Sequence, residues 1–144
     1  ERIDHVFRET MQYLRPRLPS RVKIDVVPPA HSDLTVPLNR ALFSWVLENL
    51  IRNAVDAMEG EGSITITTEQ EGNTVHVDVT DTGKGIPASQ LKTVFQPGFT
   101  TKKRGWGLGL SLTKRIMETY HKGRIFVKRS TVGKGTTFRI SLKG

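Results

Sequence analysis

Ile3, Val6, Phe7, Thr10, Met11, Leu14 and Leu18 recur at helical spacing, and Pro16 and Pro19 interrupt the pattern, which predicts a leading helix that stops there. Residues 21–27 (RVKIDVV) alternate as a strand does, PPAHSD reads as a loop, and Val36 leads through Pro37 into a long helix from about Leu38 to Met58. Gly60 and Gly62 end that helix. SITITTE and TVHVDVT alternate with period two around EGN, a hairpin turn signal, and predict two antiparallel strands. From Thr82 to Gly107 the regular pattern fails: Gly83, Gly85, Pro87, Pro97, Gly98, Gly105 and Gly107 leave room only for a short helix near Ser89 to Val94. A loop of this length inside a compact domain is usually functional or mobile, and it reads as a lid. A second helix from about Leu108 to Tyr120 ends before Gly123, and RIFVKRS and TTFRISLK form a last strand pair joined by TVGKG. This order predicts an α+β chain folded as a two-layer α/β sandwich, with helices on one face of a mixed, mostly antiparallel sheet.

With 144 residues, 36% of them hydrophobic and 25% charged, the chain has the makings of one domain with a single core, and no repeat or internal linker divides it. No stretch approaches the roughly 20 consecutive apolar residues that span a bilayer, and the opening ERIDHVFRE lacks the apolar run of a signal peptide, so the chain reads as soluble. The absence of cysteine removes disulfides, thiolate metal sites and cysteine nucleophiles. The net charge of +8 is concentrated: Lys102, Lys103, Arg104, Lys114, Arg115, Lys122, Arg124, Lys128 and Arg129 face Glu118 alone, whereas residues 1–60 balance. Such a run is a solvated basic face, a polyphosphate site or a surface for an acidic partner; no helix-turn-helix, zinc or aromatic-basic pattern beside it points to nucleic acid.

Three segments carry candidate chemistry. In LENLIRNAVDA, Asn49, Asn53 and Asp56 stand four and then three residues apart and share one helical face beside the apolar stripe of Leu42, Val46, Leu50, Ala54 and Ala57. That face is either the polar side of an amphipathic helix or a set of oxygen ligands for a hydrated Mg²⁺ carrying phosphates. DTGKGI follows a strand directly, so Asp81 stands at the strand's end, and Gly83 and Gly85 let backbone approach a ligand. This is either an ordinary turn or a carboxylate placed to accept a hydrogen bond from an exocyclic amine such as that of adenine. In TTKKRGWGLGLSL, Gly105, Gly107 and Gly109 lead into the second helix behind Lys102, Lys103 and Arg104, which suits phosphate binding at helix amides. Its spacing matches neither the P-loop nor the dinucleotide fingerprint.

Taken together, NLIRNAVDA, DTGKGI, FQPGFTTK, GWGLGLSL and GKGTTF stand in the order of the N box, first glycine box, F box and two later glycine boxes of sensor histidine kinases, members of the GHKL ATPase/kinase superfamily. The resemblance covers about residues 34–142. It implies the α/β sandwich of the Bergerat type with a mobile ATP lid, binding of ATP and Mg²⁺, and transfer of the γ-phosphate to a histidine. By position it makes Asn53 the Mg²⁺ ligand, with Asn49 and Asp56 facing the phosphates and metal. Asp81 would bind the adenine amino group, Gly83 and Gly85 would shape the base pocket and Ile86 would line it. Phe95 resembles the aromatic residue that anchors the lid, and Thr100, Thr101, Lys102, Lys103 and Arg104 fall in the stretch that meets the phosphates. Gly105, Gly107, Leu108, Gly109 and Leu110 match the box at the lid's end, and Gly133, Gly135 and Thr136 match the last box, with Thr136 near the adenine. Asn49, Asn53, Lys102 and Lys103 would act in catalysis.

Departures from the family pattern narrow the reading. The position four residues before the metal-binding Asn, a water-activating Glu in the superfamily's ATPases, is Asn49, which cannot act as a base; this favours a kinase. Asp56 stands where many histidine kinases have a basic residue, and Trp106 and the Pro97–Gly98–Phe99 run differ from commoner forms of their boxes. His5 lacks the acidic residue and downstream Pro that follow an acceptor histidine, so the acceptor is expected upstream. Residues 1–18 then read as the end of a linker helix from an absent dimerisation segment and 19–144 as the catalytic domain. The partners implied are those upstream helices and a response regulator receiver domain, with no nucleic acid. The intact protein would be a homodimer, the isolated domain a monomeric, cytoplasmic part of it. A GHKL ATPase fragment and a non-catalytic nucleotide-binding module are the alternatives.

Overall fold

A computed structural model describes residues 3–27, 38–91, 93–95, 109–121 and 123–143. Helix α1 (Ile3–Leu14) runs into a 3-10 turn at Arg15–Arg17, where Pro16 ends it, and strand β1 (Val22–Val27) follows. Helix α2 (Arg40–Ala57) begins two residues later than the sequence pattern predicts, because Asn39 caps it: its side chain accepts a hydrogen bond from the Leu42 amide at 3.1 Å. Strands β2 (Gly62–Glu71) and β3 (Thr74–Asp81) form the predicted hairpin around a two-residue loop. The short helix expected near residues 89–94 is two 3-10 turns, Ala88–Gln90 and Thr93–Phe95. Helix α3 (Gly109–Arg115) passes into a π-helical turn at Ile116–Tyr120, and strands β4 (Arg124–Thr131) and β5 (Gly135–Lys143) close the chain.

The sheet order is β1-β2-β3-β5-β4, with β1 and β2 parallel and the other pairs antiparallel. A parallel pair needs a crossover, and α2 supplies it. Period-two alternation turns Ile64 and Ile66 of β2, Val75, Val77 and Val79 of β3, and Phe138, Ile140 and Leu142 of β5 to one face, all buried. Against that face lie Phe43, Val46, Leu47, Leu50, Ile51 and Ala54 of α2, Met117 beyond α3, and Ile3, Val6, Phe7, Met11 and Leu14 of α1. The result is the two-layer α+β arrangement expected, with helices gathered on one face. Helix α3 lies antiparallel along α2: Thr113 meets Asn49 through a hydrogen bond of 2.9 Å, and His121 Nε2 accepts one from the Asn39 amide at 3.0 Å.

The opposite face is polar, and its centre is Asp78, only 8% exposed. Arg139 donates to it twice, Nε to Oδ1 at 2.8 Å and Nη2 to Oδ2 at 3.0 Å, and Lys128, at a bulge in β4, reaches Oδ2 at 3.2 Å. Burial alone would raise the Asp78 carboxyl, but the hydrogen bonds and charges of Arg139 and Lys128 outweigh it and hold the group below its ordinary value.

What positions the site is the docking of the loop after β3. The Lys84 amide donates to the Ala57 carbonyl at the end of α2 (3.0 Å), and the Lys84 carbonyl accepts from the Gly133 amide in the β4–β5 turn (2.8 Å). The Ile86 amide donates to Ser130 Oγ on β4 at 2.7 Å. A Cβ at Gly83 would stand 2.7 Å from the Ala57 carbonyl, and one at Gly85, where φ is +76°, would run into the Thr131 carbonyl. The loop is thus clamped between α2 and the last hairpin at backbone distance.

Two outcomes are expected. Asp78→Asn should lower stability at pH 7 by about 2 kcal/mol. Because the folded carboxyl titrates below its unfolded value of about 3.9, that contribution is complete above this pH and is lost as pH falls through the folded value. Denaturation at several pH values should therefore show the gap between wild type and variant closing in acid. Gly85→Ala should cost at least about 3 kcal/mol, since a clash adds to the left-handed backbone. Gly60→Ala, at φ +82° but with nothing within 4 Å of its Cβ, should cost only about 1 kcal/mol. Equal losses in urea unfolding would show that the clamp is not close-packed.

Candidate functional site

The docked loop forms one wall of a cleft lined by Asn53, Asp56 and Ala57 of α2, Asp81 at the end of β3, Lys84, Gly85 and Ile86 of the loop, and Val94, Leu110, Thr136 and Phe138. Five secondary-structure elements meet here beside the loop, and each contributes what its local sequence allows. The last turns of α2 bring the polar margin of an otherwise apolar helix, and the start of β5 brings Thr136, paired in register with Asp81. Ile86, Val94, Leu110 and Phe138 give the cleft an apolar side. Phe95 stands behind it, its ring edge-on to Phe138 at 6.0 Å and 88°.

Asp81 is 4% exposed and its carboxylate is held by backbone: Oδ1 accepts the Gly83 amide at 2.8 Å, and the Thr136 amide also hydrogen-bonds the group. Burial pushes its pKa up, the two amides pull it down, and burial prevails. Thr136 is equally buried, and its hydroxyl shares a 2.8 Å hydrogen bond with Ser130, which itself receives the Ile86 amide. A carboxylate fixed in this way at the end of an apolar slot is a ready acceptor for one more donor.

The structure brings together Asn53, Asp56, Asp81, Gly85, Ile86, Leu110 and Thr136, all predicted from sequence, in this one cleft. Gly83 supports it from the α2 side. Asn49 is placed differently: its Nδ2 donates across to Thr113 Oγ1 on α3, and it does not line the cleft. Gly109 opens α3. Thr100, Thr101, Lys102, Lys103, Arg104, Gly105, Gly107 and Leu108 lie outside the described residues, as does the second half of the expected lid. Sequence reasoning missed Lys84, the cation among the described lining residues, although it stands between the two glycines of DTGKGI. It also missed Ser130 and Thr113, whose roles depend on strands and helices distant in sequence. Among the described residues no helix is long and apolar enough to cross a membrane.

Comparison with known proteins agrees with this geometry. The family model described as histidine kinase-, DNA gyrase B-, and HSP90-like ATPase matches residues 39–144. Sensor histidine kinase ZraS of Escherichia coli K12 is 47% identical over 97 residues, which is 67% of this chain and 20% of that protein. Nitrogen regulation protein NtrY of Azorhizobium caulinodans is 31% identical over 98% of this chain and 19% of its own length. The chain thus spans about a fifth of the length of these curated relatives. Among solved structures, the catalytic domain of histidine kinase ThkA superposes with a TM-score of 0.87 at 30% identity, over 99% of this chain and 93% of that one. ThkA is also seen in complex with response regulator protein TrrA, a structure matched with a TM-score of 0.84 at 28% identity over 99% of this chain and 40% of that one. The five-element cleft, the family model and a catalytic domain matched over nearly its full length converge: the chain belongs to the histidine kinase-, DNA gyrase B- and HSP90-like ATPase family, among its histidine kinase catalytic domains.

Proposed function

We propose that this domain binds Mg²⁺·ATP in the cleft beside α2 and donates the γ-phosphate to a histidine on a separate helical segment, as the catalytic part of a two-component sensor. The observation that carries the reading is the buried Asp81 carboxylate, fixed by the Gly83 and Thr136 amides against an apolar wall, in the same cleft as the oxygen donors of Asn53 and Asp56. The donor set fits the ligand. A carboxylate acceptor between Ile86, Val94, Leu110 and Phe138 suits the amino edge of a flat base, and amide and carboxylate oxygens suit a hard cation with few protein ligands.

In this reading Asp81 accepts the adenine amine, Thr136 lies beside the base, and Gly83, Gly85 and Ile86 shape its pocket. Asn53 ligates Mg²⁺, which when bound neutralises charge on the phosphates. Asp56 faces the phosphates and metal, and Lys84 lines the cleft between the two glycines of the base pocket. Phe95 anchors the lid, and Thr100, Thr101 and Lys102 to Arg104 meet the phosphates, with Gly105, Gly107, Leu108, Gly109 and Leu110 closing around them. Catalysis is positioning and charge neutralisation, since neither asparagine of α2 can take a proton. Residues 1–18 end the linker from a dimerising acceptor segment and 19–144 form the catalytic domain. The buried side chains of α1 give that linker a firm hold on the core. The intact protein is a homodimer, its partner a response regulator receiver domain, as the complex of ThkA with TrrA supports. Dependence on ATP places the domain on the cytoplasmic side.

Asp81→Asn separates binding from folding. The folded Asp81 titrates above its unfolded value, so its contribution to stability is complete below the unfolded pKa and is lost as pH rises through the folded one. An amide removes that penalty at pH 7 and still accepts the Gly83 amide. The variant should therefore unfold at the same or higher denaturant while binding ATP roughly 10- to 100-fold more weakly. Unchanged affinity by calorimetry would remove the adenine assignment.

The reaction itself is tested with γ-labelled ATP and Mg²⁺ on a longer chain carrying the acceptor helices. Acid-labile, base-stable label on the protein, lost in Asn53→Ala, is the expected result. Free phosphate without labelled protein would make the domain an ATPase and oblige a search for a base other than Asn49.

A further inference from the structure

Strand β1 stands at one edge of the sheet and, among the described residues, pairs only with β2. Val22 pairs with Gly62, whose amide donates to the Arg21 carbonyl at 3.2 Å. Residues 21, 23 and 25 therefore turn their backbone groups toward β2, and residues 22, 24 and 26 turn theirs outward. The Val22 amide agrees with this parity, since it donates to the Pro19 carbonyl at 3.1 Å and not to β2. Along the outer side the Ile24 and Val26 amides and the Val22 and Ile24 carbonyls have no backbone partner among the described residues. A groove of about 430 Å³ touches Val22, Lys23, Ile24 and Asp25 together. Successive strand residues point to opposite faces, so a groove that meets all four lies along the edge itself.

The side chains of this edge match a reversed copy of themselves. Val22, Ile24 and Val26 pack on the helix side, whereas Lys23 and Asp25 are exposed on the open face, across from the uncharged Ser63 and Thr65 of β2. Around Ile24 the strand reads Val-Lys-Ile-Asp-Val, so reversal sets Val against Val, Ile against Ile and Lys against Asp. We propose that β1 pairs with β1 of a second copy of this chain, antiparallel about a two-fold axis at Ile24. Ile24 has the outward parity that this axis requires: the two copies exchange both Ile24 backbone hydrogen bonds, and each Val26 amide reaches the other copy's Val22 carbonyl. Lys23 then faces the second copy's Asp25 in the non-hydrogen-bonded spacing, which brings side chains closest, once on each side of the axis. The turn before β1, which brings Arg15 to the groove, stands at the strand's start, so the two turns fall at opposite ends of the pair and their cations stay apart. The far edge of the sheet has no such symmetry, since β4 carries Arg124, Lys128 and Arg129 beside its bulge. One strand pair buries less than the roughly 1,200 Å² of weak complexes, which gives a dimer with Kd of about 100 µM. The family resemblance leads instead to a monomeric isolated domain.

Sedimentation equilibrium of the chain from about 10 µM to about 1 mM reads the association directly. The unaltered chain should pass from monomer to dimer mass across this range. Lys23→Asp sets Asp against Asp and Asp25→Lys sets Lys against Lys, so each single variant should associate at least about 10-fold more weakly. An equimolar mixture of the two single variants should dimerise as the unaltered chain does, because every 23–25 pair across the axis is again of opposite charge. The double variant Lys23→Asp/Asp25→Lys should also recover, which separates loss of pairing from loss of folding at these exposed positions. A monomer mass for the unaltered chain at every concentration would overturn the proposal and leave the edge to a strand of a different protein. So would association that neither single variant weakens, which would put the interface elsewhere. Single variants that stay monomeric when mixed would overturn the register at Ile24.

Discussion

Asp81 is a carboxylate that has been taken almost entirely out of water and left ionisable, and the structure around it answers that cost. Two backbone amides, of Gly83 and Thr136, point at it from a loop and from a neighbouring strand. For both to arrive, the loop from Asp81 to Ile86 must lie at backbone distance from the end of α2 and from the β4–β5 turn. That requires positions 83, 85 and 135 to carry no Cβ: at Gly135 a Cβ would overlap the Asp81 carbonyl. The cleft, its apolar side and the register of the last hairpin all follow from this contact.

Helix α2 is the element on which the other constraints converge. One stripe packs on the sheet, its C-terminal carbonyl at Ala57 receives the loop, its polar margin opens onto the cleft, and its length carries α3. Two hydrogen bonds set the lie of α3, one from Asn49 to Thr113 and one from the Asn39 amide to His121. Since His121 Nε2 accepts, its other nitrogen carries the proton and donates to the Ile116 carbonyl at 3.2 Å, which ties the π-helical turn to the start of α2. The segment that the cleft shares with α3 is therefore fixed from both ends of that helix.

Among the described residues, the face of the sheet away from the helices is made mainly of polar side chains. Threonines and charged side chains replace the aliphatic set: Thr80 and Thr137 share a hydrogen bond of 2.9 Å, and Arg139 and Lys128 close over Asp78. The stems of the long cations shield the strands while their heads stay near water. At the outer edge, β4 carries Arg124, Lys128 and Arg129 and a bulge, features that discourage pairing with another chain.

The sequence by itself determined the order and type of the elements, because periods of 2 and 3.6 in apolar residues are local properties that burial imposes wherever the strand or helix lies. It also determined the five boxes, and with them Asn53, Asp56, Asp81, Gly85, Ile86, Leu110 and Thr136 as one set, since glycines and a strand-end carboxylate in that order admit few uses. Only the tertiary structure decided how these residues are held. Asn49 and Asn53 are identical in the helical pattern, yet one binds across to Thr113 and the other faces the cleft, because α3 packs along one side of α2 and not the other. The capping of α2 by Asn39 instead of a start at Leu38 depends on one side chain turning back to the Leu42 amide. The raised Asp81 and the lowered Asp78 are the same residue three positions apart on one strand. They differ because burial outweighs two backbone amides at Asp81, whereas an arginine and a lysine outweigh burial at Asp78. The lysine, the arginine and Thr136 come from chain segments fifty or more residues away, and no local pattern encodes them.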